Sequence, residues 1–358
     1  MARIRIESIS KTYGDHAAVK DVDLDVANGE FFVLLGPTGA GKTTTLRMIA
    51  GLEKPTSGKV FINEVDVGDW GPAERDVALV LQQYSLYPRL TVRDNLAFPL
   101  RSRVRRMSEA DIKARIDYAS KTLRIGHLLE RKTDRLSGGE MQRVSIGRAI
   151  VREPQVFLMD EPLSALDAKL REALRSELKD LQRRLGATFI FVTHDQVEAM
   201  TMGDRIGILN HGKLVQVGTP QDVYNNPRDT FVAGFVGSPA INLLPGSLSG
   251  GNAVVAPATF ELPVRGRGTA GDGAYTFGIR PEDVSVESGA PVEAKVHDIE
   301  NHGIEKVLTL RVADQFVRAA VPARVNVAVE DTVRFGWNAD KVIFFDRSTG
   351  LNLAHRAA

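Results

Sequence analysis

Three short runs of this 358-residue chain hold residue types that handle phosphate. The first is Gly36-Pro37-Thr38-Gly39-Ala40-Gly41-Lys42-Thr43, continued by Thr44, which fits G-x-x-x-x-G-K-[ST]. It follows an apolar run, Phe31–Leu35, and precedes a helical stretch ending near Gly51. Glycines let successive backbone N–H groups turn inward on one anion, and the N-terminus of the next helix adds partial positive charge. Lys42 is then placed to reach the β- and γ-phosphates of a nucleotide, and the Thr43 hydroxyl to ligate Mg²⁺. About 1% of chains this long match the four fixed positions by chance, and the strand–loop–helix context lowers that further. Alone, the loop suits a kinase or a GTPase as well as an ATPase.

The second run is Val156–Met159 followed by Asp160-Glu161. In an open α/β sheet the end of such a strand lies beside the phosphate loop. Asp160 is the expected holder of Mg²⁺, through water, and Glu161 the group that polarises an attacking water. The third run is Leu136-Ser137-Gly138-Gly139-Glu140-Met141-Gln142-Arg143. Ser137, Gly138 and Gly139 offer a hydroxyl and free N–H groups to an anion, though on these residues alone a plain helix cap is favoured.

The elements that must position these groups show in the periodicity. Residues 3–9 alternate apolar and charged, like an exposed-edge strand, and residues 19–26 alternate again before the turn signal Asn28-Gly29. Phe31–Leu35, Val77–Leu81, Val156–Met159, Phe189–Val192 and Ile206–Leu209 are continuous apolar runs of the kind buried on both faces. Leu166, Leu170, Leu174, Leu178, Leu181 and Leu185 line one helix face, with Asp167 near its start. Alternating strands and helices predict an α/β fold with a largely parallel sheet. Residues 101–135 are polar with helical spacing at Ile112, Ile116 and Leu123, and predict a helical insertion, a helical subdomain spanning about 84–153. Its basic cluster, Arg101, Arg103, Arg105 and Arg106, reads first as a solvated face. Composition shifts near residue 238: short alternating strands such as Lys306–Val312 and Lys341–Phe345 are divided by Gly250-Gly251, Gly266, Gly268, Gly271 and Gly273. That pattern predicts a small all-β domain, a barrel.

Bulk properties exclude several classes. The net charge of +1 gives no overall pull toward nucleic acid or anionic lipid. With no cysteine, disulfides, thiolate nucleophiles and Cys-ligated zinc are absent. The charged start, Met1–Glu7, is not the apolar stretch of a signal peptide, and no run approaches the roughly 18–20 apolar residues that span a bilayer.

Taken together, the motifs resemble those of ABC-transporter ATPase subunits. Leu136–Gly139 is similar to that family's signature motif and lies between the phosphate loop and the Asp-Glu strand, as in the family. Gln82 matches the Q-loop glutamine, Ser164-Ala165-Leu166-Asp167 the D-loop, His194 the switch histidine and Tyr13 the aromatic that stacks on adenine. The resemblance implies that two such subunits meet head to tail, with ATP and Mg²⁺ between one loop and the other subunit's signature. Lys42 contacts the γ-phosphate from one side and Ser137 and Gly139 from the other. Gln82 contacts Mg²⁺, and His194 holds the closed geometry.

Phe157–Ser164 and Tyr84–Val92 are most similar to the carbohydrate-importer group, like the maltose and glycerol-phosphate importer ATPases, and Gly278-Ile279-Arg280-Pro281-Glu282 matches an element of that group's C-terminal OB-type regulatory domain. The implied division is an ATPase domain at 1–237 and a regulatory barrel at 238–358. The implied partners are a second ATPase subunit, two transmembrane permeases and an extracytoplasmic solute-binding protein, not nucleic acid. The implied location is peripheral, on the cytoplasmic face of the bacterial inner membrane. Glu140 stands where the group usually has Gln, Ala165 where Asn is usual, Thr38 and Ala40 where Ser and Cys are common, and Gln83 precedes Tyr84. Ala165 lies at the implied dimer seam and favours a related ATPase over a second copy as partner. The other reading is a soluble ABC ATPase acting on nucleic acid or ribosomes; neutral charge and the importer-like tail argue against it.

Overall fold

The computed structural model describes residues 2–102, 107–250, 252–255, 260–264 and 271–355. Arg103, Arg105 and Arg106 of the basic cluster, and the turn residues Gly251, Gly266 and Gly268, lie outside these. Contacts divide the chain into two units, Met1–Pro220 and Gln221–Ala358.

The alternation at residues 3–9 is real, but the strand is not at an edge. β1 (Ile4–Tyr13) pairs on one side with β2 (His16–Val26) and on the other with β4 (Ser57–Ile62), which carries the short β5 (Val65–Asp66). All of these pairings are antiparallel. The apolar face of β1, Ile4, Ile6 and Ile9, is buried in one core with Leu46 and Ile49 of α1 (Lys42–Ala50). Arg3, just before β1, is paired on both sides, 2.6 Å from Asp25 of β2 and 3.0 Å from Glu64 in the turn after β4.

The continuous apolar runs form a second, six-stranded sheet. Its strands are β3 (Phe31–Leu35), β6 (Val77–Val80), β7 (Val156–Asp160), β8 (Thr188–Thr193), β9 (Arg205–Asn210) and β10 (Lys213–Gly218), in the order β10-β9-β3-β8-β7-β6. All pairings are parallel except β9 with β10. Every residue of β3, β7 and β8 is buried, as expected for strands covered on both faces. Phe31, Phe189 and Phe157 sit in register on adjacent strands, and their rings stack at 5.3 and 4.5 Å. Because the strands run parallel, β3, β7 and β8 all end at one edge of the sheet, with Leu35 opposite Thr193 and Asp160 opposite Val192.

The helical insertion holds α2 (Val92–Ala97), α3 (Glu109–Thr122) and α4 (Gly138–Ile150), each opened by a hydroxyl cap: Thr91, Ser108 and Ser137. α4 packs on α2 and α3, burying Ile112, Ile116 and Leu123. Arg101 pairs with Glu109 at 3.0 Å, so its charge is already met. α5 (Ala168–Leu185) buries Leu174, Leu178 and Leu181 and is capped by Asp167, whose carboxylate accepts from the Leu170 N–H at 2.9 Å. α6 (Gln196–Met202) follows β8. Among the described residues no helix is long and apolar enough to cross a membrane.

The second unit opens with α7 (Pro220–Asn225) and α8 (Thr230–Phe235). Two five-stranded antiparallel sheets follow, containing β11 (Asn242–Ser249), β12 (Asn252–Val255), β13 (Phe260–Pro263), β14 (Gly273–Ile279), β15 (Val284–Val286), β16 (Val292–Asn301), β17 (Glu305–Val312), β18 (Gln315–Pro322), β19 (Thr332–Trp337) and β20 (Ile343–Asp346). The expected strand at Lys341–Phe345 begins later, because Ala339–Lys341 forms a 3₁₀ turn. The contact boundary at Pro220 precedes the composition shift at 238, and buried Arg280 supplies the reason. Its guanidinium donates to the carbonyls of Ala233 (3.1 Å), Val236 (2.6 Å) and Tyr224 (2.8 Å), and it lies over the Tyr224 ring at 4.0 Å. One side chain from the barrel thereby ties down both short helices.

Arg280→Met should therefore leave three carbonyls without a donor, at about 1–3 kcal/mol for each that stays dry. Urea unfolding of the full chain should show the transition of the second unit at clearly lower denaturant; an unchanged midpoint would contradict this role.

Candidate functional site

The 36–41 loop leaves β3 at the shared strand edge and turns directly into α1. Gly36 runs so close to β9 that a Cβ there would meet the Leu209 carbonyl at 2.3 Å. Gly41, with φ of 101°, is the N-cap of α1 and makes no side-chain cap; a Cβ on it would meet the Ala18 carbonyl at 2.6 Å. The first-turn N–H groups of α1 are therefore left for a ligand at the positive end of the helix dipole.

Lys42 does not extend into solvent. Only 5% of it is exposed, and its ammonium donates to the carbonyls of Gly36 (2.9 Å) and Pro37 (3.0 Å). It also lies 3.8 Å from Glu161. Burial pushes its pKa down, opposed by the charges of Glu161 and Asp160. Thr43 donates its hydroxyl to Asp160 at 2.9 Å, which joins the loop to the end of β7. Burial pushes the Asp160 carboxyl up, the Thr43 hydrogen bond pulls it back, and neighbouring Glu161 raises it further.

Glu161 has φ of 45°, a left-handed conformation unusual for a non-glycine residue. This turn lets its N–H donate to the Val192 carbonyl at 3.0 Å and brings its carboxylate to 3.1 Å from His194 Nδ1. Three segments thus converge where the strands end: the loop, the Asp160-Glu161 pair after β7, and His194 after β8. Gln82 lies exposed just past β6, the strand beside β7. Tyr13, 45% exposed, ends β1 opposite His16, on the same hairpin whose Ala18 abuts Gly41.

Ser137, Gly138 and Gly139 are not part of this convergence. They open α4, and among the described residues no hydrogen bond joins them to the loop, Asp160 or Glu161. Ser137 and Glu140 instead form a reciprocal capping box: the Ser137 N–H donates to Glu140 at 2.7 Å and the Glu140 N–H to the Ser137 hydroxyl at 3.4 Å. That backbone hydrogen bond holds the Glu140 carboxyl below the usual carboxylate range. The spacing Ser-x-x-Glu carried this signal in the sequence. Arg171 contacts both the 164–167 turn and the residue after His194, and the sequence carries no signal of it: an arginine on a leucine-spaced helix has no distinguishing mark.

The donor set suits Mg²⁺ with a nucleotide. A hydroxyl and a carboxylate 2.9 Å apart are hard oxygen ligands, and Mg²⁺ commonly takes one or two such groups with substrate phosphates completing its shell. Asp160, buried enough to disfavour its own charge, is a carboxylate for which a cation would compensate.

A phosphate-binding loop on a parallel sheet, with a carboxylate pair at the end of the next strand but one, defines a P-loop nucleotide hydrolase. Comparison with known proteins narrows the class. Residues 19–164 match the ABC transporter family model, 237–284 the MalK OB fold domain and 277–345 the TOBE domain. The chain is 44% identical to the sn-glycerol-3-phosphate import ATP-binding protein UgpC of Ruegeria pomeroyi, over 99% of this chain and 100% of that one. It is 47% identical to the trehalose/maltose import ATP-binding protein MalK of Thermococcus litoralis, over 98% and 99%. A dimeric, post-hydrolysis structure of the ATP-binding cassette MJ0796 with ADP and Pi matches with a TM-score of 0.56 and 34% identity, over 61% of this chain and 98% of that one. The chain belongs to the ABC transporter family, as an ATP-hydrolysing subunit of importer type whose ATPase fold is followed by an OB-fold region.

The raised pKa of Asp160 makes its charge destabilising. The penalty sets in as pH rises above the unfolded value and is complete above the higher folded one, so it is present in full well above both. Asp160→Asn keeps an acceptor for Thr43 and removes the charge. Without nucleotide it should melt higher than the parent at pH 7, with the gain vanishing in acid, and it should have lost hydrolysis. A lower melting temperature at pH 7 would show that Asp160 is a net stabilising ion.

Proposed function

We propose that this chain is the motor of a binding-protein-dependent importer for a sugar, a polyol or a glycerol-phosphate-type solute, working as one of two head-to-tail ATPase subunits. The observation that carries the two-subunit reading is that, among the described residues, no hydrogen bond joins Ser137–Gly139 to the loop, Asp160 or Glu161; this helix start closes on its own capping box instead. The dimeric cassette among the similar structures supports the same arrangement. The solute class is supported by the two full-length relatives, which are named for import of sn-glycerol-3-phosphate and of trehalose/maltose.

Tyr13 stacks on adenine. The loop of residues 36–44, through its backbone N–H groups (Pro37 has none), and the Lys42 ammonium take the β- and γ-phosphates, and the partner's Ser137, Gly138 and Gly139 take the γ-phosphate from the far side. Thr43, Asp160 and Gln82 would hold Mg²⁺, which would supply positive charge to offset that of the phosphates. Glu161 accepts a proton from the attacking water. His194, at 3.1 Å from that carboxylate, orients it and meets the γ-phosphate. Loss of the γ-phosphate removes what both subunits bind, and the pair opens.

A cleft of about 490 Å³ lined by Gln82, Tyr84, Leu86, Pro88, Asp134 and Met141 lies where Gln82 meets the helical insertion. We read it as the seat of a permease's cytoplasmic segment, which holds the subunit at the inner face of the bacterial membrane. We take 1–237 as the working ATPase domain and 238–358 as the regulatory one; the OB-fold match starting at residue 237 supports this division. The second subunit is another copy or a related ATPase.

Glu161→Gln should bind ATP with little loss while turnover falls by about 10² or more, the usual scale for a positioned base. Steady-state phosphate release together with ATP binding checks this, and near-normal turnover would refute the role.

A further inference from the structure

The contact between His194 and Glu161 is one link of a ring that returns to Glu161 by a second route. The Glu161 carbonyl accepts from the Ser164 hydroxyl at 2.9 Å and from the Ser164 N–H at 3.3 Å. The chain continues through the turn to Leu166, whose N–H donates to the Leu163 carbonyl at 3.2 Å. Arg171, in the first turns of α5, then reaches in two directions. Its Nη2 donates to the Leu166 carbonyl at 2.9 Å, and its Nη1 donates to Asp195 Oδ2 at 3.4 Å. Asp195 follows His194 directly and is itself fixed: Oδ1 accepts from the N–H groups of Val197 (2.8 Å) and Glu198 (3.2 Å) to cap α6, and its own N–H donates to the Thr193 hydroxyl at 2.9 Å. That hydroxyl donates in turn to buried Glu198 at 2.6 Å. His194 Nδ1, 3.1 Å from Glu161, closes the ring.

We infer that Arg171 is a positioning residue that fixes the 164–167 turn to the His194 segment, so that displacement of the turn is felt as a change in the spacing of His194 and Glu161. The fork of a guanidinium suits this: it is planar and holds two acceptors on different segments at a set angle, which a single ammonium on a flexible stem does less well. The 164–167 turn matches the D-loop, which the two-subunit reading puts at the seam. Arg171 is then the physical link by which arrival of the second subunit sets the geometry of the base. The inference rests on the assignment of Glu161 and His194 made above.

The test uses the full chain with Arg171→Met, Arg171→Lys, Asp195→Asn and the double variant Arg171→Met/Asp195→Asn, with Glu161→Gln run alongside. Asp195→Asn keeps Oδ1 as the cap of α6 and removes only the ion pair. Both single variants at Arg171→Met and Asp195→Asn should lower kcat by about ten- to a hundredfold, the scale of a small misplacement of a reacting group. KM for ATP should stay within about twofold and Arg171→Lys should recover part of the rate, because nucleotide contacts are untouched. The double variant should fall no lower than the worse single one, as for two halves of one interaction. If Arg171→Met fails to fold, Asp195→Asn decides alone. Unchanged kcat in either folded variant, or losses that multiply in the double variant, would overturn the inference. Full turnover in Glu161→Gln would instead overturn the assignment on which it rests, so the two failures are distinct.

Discussion

A lysine ammonium withdrawn from water is the constraint around which the N-terminal unit is arranged. Taking a cation out of water is expensive unless hydrogen bonds and opposite charge replace the lost solvent. Here two loop carbonyls supply the first and Glu161, at 3.8 Å, the second. For the carbonyls of Gly36 and Pro37 to face Lys42, the loop must curl tightly after β3, which is possible only without side chains at Gly36 and Gly41. For Glu161 to reach the same spot, β7 must run parallel to β3 with only β8 between them. The sheet order, the fully apolar strands and the stacked phenylalanines are what hold those strand ends in line.

The site is held in an arrangement that is costly without its ligand. Asp160 is buried enough to resist ionising, and Glu161 adopts a left-handed backbone conformation that costs energy for a residue with a side chain. Both features sit where a nucleotide and a divalent cation would repay them, and the uncapped start of α1 offers donors to the same ligand. Relief of these costs on binding would add to the affinity for nucleotide and cation.

Much of this was legible in the sequence because the informative residues are ones whose chemistry depends on spacing alone. The glycine pattern of the loop and the Asp-Glu pair after an apolar run could be read in one dimension, as could the parallel sheet from its unbroken apolar segments; His194 was marked only by the resemblance to the family's motifs. What could not be read depends on pairing. The alternation of β1 marks one polar face, but whether a strand is at an edge is decided by which segments lie on each side, and here they come from residues 16–26 and 57–62. The short helices at 220–235 group with the barrel through Arg280, 44 positions after Val236, a contact without a local signature. Glu140 read as a departure from the family pattern, yet the structure gives it a local task as the second half of a capping box. Arg171 was hidden for the opposite reason: its helix is regular, and only the tertiary arrangement turns one arginine into a bridge between two functional segments.

The central claim is that each nucleotide site is built from two chains, the loop of one and the Ser137–Gly139 turn of another. The absence of cysteine from the chain makes a direct measurement possible. Thr38→Cys and Ser137→Cys can be introduced together in the Glu161→Gln background, the chain incubated with ATP and Mg²⁺ under mild oxidation, and the products resolved without reductant. For a pair made of two copies of this chain, the account predicts a cross-linked species of twice the chain mass that forms with ATP and not without nucleotide. Cross-linking confined within single chains, or a dimer that forms equally without ATP, would contradict it.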